Sequence, residues 1–426
     1  MAYIPHSKNE LKQIFEDLKI SNIDELFQDI PKEISNPDIN IDNAISEIEC
    51  ATLVKNLAKK NNISEFSCFL GAGAYNHYIP SPVNTITSRS EFITAYTPYQ
   101  PEMSQGILQA IFEFQSMICA LTELEISNAS LYDGATALWE AILMAVRITK
   151  RKNVIVYEPI HPNYKEVLKT YAKFEDINIS FTSDVKSMIN KDTSAVVASY
   201  PNFFGVIEDL SWLGDIAKKN QSIFICNVNP IALGLFETPA NMGAEIIVGE
   251  AQSLGIPLSF GGPYLGIISA SNKFMRQMPG RIVGQTTDIN GKTAYTLTLQ
   301  TREQHIRREK ATSNICSNQA LMALAVSVYL SYMGKTGLNT IAKICYDKCI
   351  KLKQALNVKT TDTHFNEFVL DLAIPARKFI AKCFEKKLIP GYDLGLYDKK
   401  MENKLLVCVT EMNTAENIEK LLIAHG

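Results

Sequence analysis

The densest run of charged and polar side chains in this 426-residue chain covers residues 301–316. Its basic residues are Arg302, Arg307, Arg308 and Lys310. Guanidinium and ammonium groups at this spacing could bind a phosphate or a carboxylate, because both donate charged hydrogen bonds to oxyanions. Such runs are more often solvated helix faces, but Ser313 and Asn314 lead directly into an apolar helical pattern. The run is therefore a candidate anion or interface site that ends at a buried junction.

A second polar segment, residues 96–102, reads Tyr-Thr-Pro-Tyr-Gln-Pro-Glu. Two prolines stiffen the backbone, and stiff loops with aromatic and polar side chains are suited to positioning a substrate. Tyr96 and Tyr99 are the candidate residues. The alternative is a buried turn whose hydroxyl groups are satisfied internally.

The turn at residues 133–137, Asp-Gly-Ala-Thr-Ala, is expected between a strand and the N-terminus of a helix. Small residues there leave backbone N–H groups free to bind a phosphate or carboxylate. Asp133 could equally cap the helix, in which case its own carboxylate would repel an anion. The sequence leaves both interpretations open.

The loop at residues 249–263 has the composition of the cofactor-lysine loop of an enzyme that uses pyridoxal phosphate (PLP), but it has no lysine. Such an enzyme needs a lysine amine to hold the PLP aldehyde, and no lysine occurs between Asn220 and Lys273. After the strand expected at residues 223–226, Asn227 and Asn229 stand where an aspartate would keep the PLP pyridine nitrogen protonated. Two parts of a PLP site are therefore missing.

Other sites are disfavoured. Residues 71–76 begin a dinucleotide-binding glycine pattern, but Asn76 replaces its third glycine. The nine cysteines include no Cys-x-x-Cys pair, which favours reduced core residues over a metal site. A net charge of −3 gives no support for nucleic-acid binding. No signal peptide and no apolar run of about 18 residues is found, so we expect a cytoplasmic protein.

The elements that must position these residues follow from the hydrophobic periodicity. We expect an N-terminal helical arm at residues 1–65 that has no core of its own and lies across a larger domain or a neighbouring subunit. Short apolar strands alternate with helices over residues 104–250, which predicts a mostly parallel sheet covered on both faces. A large α/β domain is assigned to residues 66–330. A small C-terminal α+β domain, beginning among long helical patterns broken at Gly334 and Gly337, is assigned to residues 331–426.

Four motifs together resemble the glycine decarboxylase family, the P-protein of the glycine cleavage system, over essentially the full chain. They are residues 96–102, residues 250–257 (Glu-Ala-Gln-Ser-Leu-Gly-Ile-Pro), residues 278–281 (Met-Pro-Gly-Arg) and the run from Gln304 to Asn318. Within the family, the chain is most similar to the first subunit of the two-subunit bacterial form. One departure is Ala251, where glycine is common.

The resemblance implies an α/β fold of the PLP-dependent transferase fold type I. It implies that a second subunit holds PLP on its lysine and that Gln252 lies about where that lysine would be. The assembled oxidoreductase would decarboxylate glycine and transfer the aminomethyl group to the lipoyl arm of H-protein, as a heterotetramer of two copies of each subunit. Tyr96 and Tyr99 would line the shared active site. Four further residues would hold the interface or an anion: Arg308, Lys310, Ser313 and Asn314.

Two alternatives remain open from the sequence. The chain could be an independent PLP enzyme that uses a lysine elsewhere, such as Lys273 or Lys292. It could also be a non-catalytic scaffold that only stabilises its partner.

Overall fold

The computed structural model describes residues 5–35 and 40–425, and the chain divides into two compact units, residues 1–63 and 64–426. Each unit is considered separately. Within the described residues, no helix is both long and apolar enough to cross a membrane.

The first unit is helical where it is described. Its helices are α1 (Lys8–Leu18), α2 (Lys32–Ser35) and α3 (Glu47–Ala58), with a 3-10 turn at Ile23–Phe27. Ser7 and Glu10 form the capping box that the sequence predicts at α1, and Ser46 forms a second one at α3. None of the three helices has a buried residue, and the helical arm at residues 1–65 stays a prediction. Its placement across another domain or subunit stays a prediction.

The second unit holds all the strands of the described chain. They are β1 (Ser67–Cys68), β2 (Ile126–Ser127), β3 (Asn153–Tyr157), β4 (Asn178–Thr182), β5 (Thr193–Tyr200), β6 (Ile223–Val228), β7 (Ile246–Glu250), β8 (Gly266–Ala270), β9 (Ile282–Thr287), β10 (Thr293–Thr298), β11 (Glu367–Asp371), β12 (Leu388–Ile389), β13 (Tyr392–Asp393) and β14 (Lys404–Cys408). Its α-helices are α4 (Ser81–Thr87), α5 (Ser90–Ile93), α6 (Gln105–Thr122), α7 (Gly134–Thr149), α8 (Pro162–Glu175), α9 (Val185–Met188), α10 (Ser211–Lys219), α11 (Gln304–Arg307), α12 (Ala320–Ala355), α13 (Ala376–Phe384) and α14 (Ala415–His425).

The central sheet has seven strands in the order β2-β8-β7-β6-β5-β3-β4. Strands β3 to β7 are mutually parallel, while β8 is antiparallel to both of its neighbours. Side chains alternate between the two faces: Val154 and Val156 pack with α7, and Ile155 packs with α10. The predicted mostly parallel sheet, covered on both faces by helices, is confirmed.

The C-terminal segment carries a three-stranded sheet in the order β11-β14-β13. The break expected in the long helical pattern occurs at Gly334, whose φ of 58° and ψ of −175° are not helical. The short strand β1 pairs in parallel with β12, and Phe69 packs in the C-terminal core. The division between residues 330 and 331 stays a prediction.

One predicted strand is misplaced. The turn at residues 133–137 was expected to follow a strand directly, but β2 is Ile126–Ser127, and Leu131 makes a single bridge to Gly266. The reason is local: the Asn128 side chain binds the Ser130 N–H at 3.1 Å and the Pro279 carbonyl at 2.9 Å, and these bonds replace a strand ladder. The β9–β10 hairpin was not anticipated.

Candidate active-site cleft and arginine–tyrosine cluster

A cleft opens at the carboxyl ends of β5, β6 and β7, where ligands bind in most open α/β sheets. Ser199 from β5, Asn227 from β6 and Glu250 from β7 line it, and Tyr75 and Tyr164 reach it from neighbouring segments. The open space within it is about 70 Å³. This is small compared with ligand pockets of roughly 300 Å³ or more.

Gln252, which the resemblance places near the lysine position, is bound at both ends of its amide. Its Oε1 accepts from the Tyr75 N–H at 2.8 Å, and its Nε2 donates to the Tyr75 carbonyl at 3.0 Å and the Ile256 carbonyl at 2.8 Å. The residue is 2% exposed. A carboxamide has no nucleophilic amine, so Gln252 serves as a structural link between two loops.

The N-terminus of α7 is satisfied by carboxylates of the chain itself. Asp133 caps the helix by accepting from the Thr136 N–H at 2.8 Å, which confirms the capping interpretation of this turn. Glu250 Oε2 accepts from the Gly134 N–H at 3.0 Å. Burial is the main cause that raises the pKa of Glu250 to about 7, and Asp133 adds to the rise. The turn that could have bound an external anion therefore holds internal acceptors.

The two asparagines after β6 supply no charge for a pyridine nitrogen. Asn227 Nδ2 donates to the Ser199 hydroxyl at 3.4 Å, and Asn229 Oδ1 accepts from the Ile231 N–H at 3.0 Å. Asn227 Oδ1 and Asn229 Nδ2 are buried without a hydrogen-bond partner among the residues described. Neutral amides thus stand where PLP chemistry needs a carboxylate.

A buried carboxyl group forms the opposite wall of the cleft. Glu367 accepts from the Tyr75 hydroxyl and from the Ala72 N–H, both at 2.6 Å, and burial raises its pKa to about 7. His161 contacts the Ala72 carbonyl at 2.6 Å, and burial lowers its pKa. A cleft with no lysine, with neutral amides and with carboxyl groups at the helix N-terminus does not fit PLP.

A second group, the arginine–tyrosine cluster, consists of Tyr99, Arg281, Glu303 and His305. Arg281 Nη2 donates to the Tyr99 hydroxyl at 2.7 Å, and its guanidinium lies 5.0 Å from the centre of the Tyr99 ring. Arg281 Nε is 3.4 Å from Glu303 Oε2, and the two side chains are 4% and 8% exposed. His305 packs edge-on against Tyr99. A buried ion pair therefore supports a tyrosine that is still 45% exposed.

The structure does not bring the remaining predicted site residues together into one group. Tyr96 is 78% exposed, and its hydroxyl lies 3.0 Å from the Ser317 hydroxyl. Arg308, Lys310 and Asn314 are exposed, and no ion pair among described residues involves either basic side chain. Ser313 is buried and accepts from the Ile315 N–H at 3.0 Å. The rings of Tyr96 and Tyr99 are exposed, against the alternative of a buried turn, but both hydroxyl groups have partners within the chain, as that alternative expects.

Several residues of these two sites were not predicted as site residues. Arg281 stands in the Met-Pro-Gly-Arg motif, and an arginine in apolar and proline-rich surroundings is a signal for a buried, paired charge. Glu250 is the last residue of an apolar strand, which places its side chain at the cleft edge of a parallel sheet. Tyr75 and Glu367 are 292 residues apart, and no local pattern relates them.

The sheet order and the position of the cleft define a protein of the PLP-dependent transferase fold type I. The fold matches a glutamate decarboxylase from Lactobacillus brevis with a TM-score of 0.68, at 12% identity over 91% of this chain and 94% of that one. A family described as glycine cleavage system P-protein matches residues 1–425, and the chain belongs to that family.

Two relatives support this assignment. The chain is 48% identical to a probable glycine dehydrogenase (decarboxylating) subunit 1 of Desulforamulus reducens, over 100% of this chain and 99% of that protein. It matches the inhibitor-bound crystal structure of a glycine decarboxylase (P-protein) of the glycine cleavage system with a TM-score of 0.91. That match has 37% identity and covers 100% of this chain and 99% of the other. The predicted family and fold class are therefore confirmed.

Proposed function

We propose that this chain is the subunit of a glycine decarboxylase that carries no cofactor lysine, and that it is active only with a second subunit that holds PLP. The observation that carries the proposal is Gln252, whose amide is fixed between two loops at the position where the family resemblance expects a lysine. The matched relatives bear the name "subunit 1", which supports a partner subunit.

In the proposed complex, of two copies of each subunit, glycine is decarboxylated and the aminomethyl group passes to the lipoyl arm of H-protein. PLP bound in the partner supplies the electron sink that the loss of CO2 requires. This chain would line the shared cavity with Tyr96 and Tyr99. Their exposure agrees with contact to a partner, and aromatic side chains are enriched at interfaces.

The arginine–tyrosine cluster gives Tyr99 a fixed position in this proposal. The Arg281 guanidinium holds its hydroxyl, and Glu303 holds Arg281. Arg281 and Glu303 are positioning residues for Tyr99. Arg308, Lys310 and Asn314 remain exposed and available for the interface or an anion, whereas the buried Ser313 acts through the backbone of its own turn.

The deciding experiment measures glycine-dependent CO2 exchange with PLP and H-protein, using the purified chain alone and then with the lysine-bearing subunit. Exchange only in the mixture is the expected result. Exchange by this chain alone would refute the role assigned to Gln252 and support an independent PLP enzyme. The alternative lysines are poorly placed for that: neither Lys273 nor Lys292 lines the cleft, and both are exposed.

A scaffold without a catalytic role is distinguished by point variants of the complex. Tyr99→Ala and Arg308→Ala should lower turnover at least about tenfold while assembly, followed by gel filtration, is retained. The matched controls are Tyr332→Ala and Arg276→Ala, because both residues are exposed and lie outside the two sites. Full turnover in either test variant would remove that residue from the proposed site.

A further inference from the structure

The N-terminus of α7 is a candidate anion site, and Glu250 connects it to the cleft that Glu250 itself lines. A 16-residue helix presents unpaired N–H groups and a partial positive charge there, and both favour a bound anion. In this chain the N–H of Gly134, the first residue of the helix, already has an acceptor, Glu250.

Glu250 accepts three backbone N–H groups from three separate segments. Oε2 accepts from Gly134 at 3.0 Å, and Oε1 accepts from Gln252 at 2.9 Å and from Leu265 at 3.0 Å. These bonds tie the start of α7 to the end of β7 and to the approach to β8. The carboxylate therefore has the contacts that a bound oxyanion would make.

Space at this point is also closed. A Cβ atom placed on Gly134 would lie 2.0 Å from the Tyr164 hydroxyl and 2.9 Å from the Cβ of Glu250. A methyl group at Gly134 would clash with both side chains, so Tyr164 and Glu250 together crowd this side of the helix terminus, while Glu250 alone holds the Gly134 N–H.

Neighbouring carboxyl groups also disfavour a bound phosphate. Asp133 caps the same helix turn, and Glu367 lines the same cleft. A phosphate ester carries close to two negative charges at neutral pH and would enter a site already surrounded by carboxyl groups.

From these contacts we propose that Glu250 occupies the anion site at the N-terminus of α7 and excludes phosphate-bearing ligands, PLP included, from this chain's own cleft. The exclusion is separate from the loss of the lysine and does not depend on the catalytic partnership proposed above. A lysine restored at residue 252 would therefore not by itself restore PLP binding.

The test compares Gln252→Lys with Gln252→Lys/Glu250→Ala in the full-length chain. The probes are PLP and pyridoxal, which has the same aldehyde but no phosphate. The lysine amine condenses with the aldehyde, an imine forms and one water molecule leaves. Hydride reduction fixes the adduct, and mass spectrometry counts it at each probe concentration.

We expect PLP to half-saturate the double variant at a concentration at least about tenfold below that for Gln252→Lys, the ratio that about 1.4 kcal/mol produces. Pyridoxal should show no such difference, because it has no group for the helix terminus. Equal PLP uptake by the single and double variants would overturn the inference, and so would an equal gain for pyridoxal.

A second variant guards against loss of folding in Glu250→Ala. Gln252→Lys/Glu250→Gln keeps the side-chain shape and removes only the charge. At pH 8, above the raised pKa of Glu250, it should take up PLP at least about threefold more tightly than Gln252→Lys, with pyridoxal unchanged, because one repulsive charge is removed. No gain in this variant, together with none in the alanine variant, would show that Glu250 is not the barrier.

Discussion

Replacing Arg281 by methionine tests whether the buried ion pair of the arginine–tyrosine cluster stabilises the folded chain and positions Tyr99. The variant removes the arginine beside Glu303, which is 8% exposed, and leaves His305 Nδ1, at 3.6 Å, as a basic group near the same carboxylate oxygen. At the observed 3.4 Å separation and an effective dielectric constant of about 20, the attraction between the two groups is about 5 kcal/mol. Removing one partner of a buried pair costs about 3 to 5 kcal/mol, because the other charge stays desolvated.

The measurement is thermal and urea unfolding of the purified chain, with Arg276→Met as the control. Arg276 is exposed, and its replacement should change the free energy of unfolding by less than about 0.5 kcal/mol. Arg281→Met should lower the apparent Tm by at least about 3 °C, because the unfolding entropy of a chain of 426 residues gives a shift of about 1 °C per kcal/mol.

The double variant Arg281→Met/Glu303→Gln separates the charge from the packing. It leaves no unpaired buried charge, so we expect it to recover most of the lost stability. Turnover of the complex should stay low in both variants, because Tyr99 loses the donor that fixes its hydroxyl. An Arg281→Met chain as stable as the Arg276→Met control would refute the reasoning.

Three further predictions concern stability. Burial raises the pKa of Glu250 from 4.5 to about 7, so its ionised form destabilises the folded chain fully above pH 7. As the pH falls from 7 to 4.5, the free energy of unfolding of the wild type should rise by up to about 3 kcal/mol relative to that of Glu250→Gln. A constant difference in urea titrations across that range would contradict this. Gly134→Ala should cost about 1 to 3 kcal/mol by overpacking, whereas Gly106→Ala, with nothing within 4 Å, should be neutral or stabilising in the same assay. Lys348→Met should cost about 1 to 3 kcal/mol in chemical denaturation, because its ammonium binds backbone carbonyl groups at distances down to 2.7 Å; the exposed Lys351→Met should not.

The alternation of strands and helices could be predicted from the sequence, because apolar residues recur at a different spacing in each type of element. The strand expected at residues 223–226 lies inside β6, and the expected alternation of strands and helices over residues 104–250 includes β3 and β5. The strand expected directly before residue 133 ends at Ser127 instead, where the Asn128 side chain takes the Ser130 N–H and interrupts the strand.

For the candidate site, the sequence alone predicted mainly which PLP-binding groups are absent. The absence of a lysine between Asn220 and Lys273 is a property of the sequence alone, and so is the neutral character of Asn227 and Asn229. The motif at residues 96–102 located Tyr96 and Tyr99, although not the ion pair that supports Tyr99.

The sequence by itself determined the family, the α/β class and the absence of both the PLP-binding lysine and the aspartate for the pyridine nitrogen. Each of these depends on residue types at fixed local spacing. Only the tertiary structure decided that Glu250 binds the N–H of Gly134, 116 residues away, and that Arg281 joins Tyr99 to Glu303. Such contacts depend on which strands become neighbours and on where side chains point at the sheet edge. Local periodicity does not encode either, because it is the same for any order of the strands.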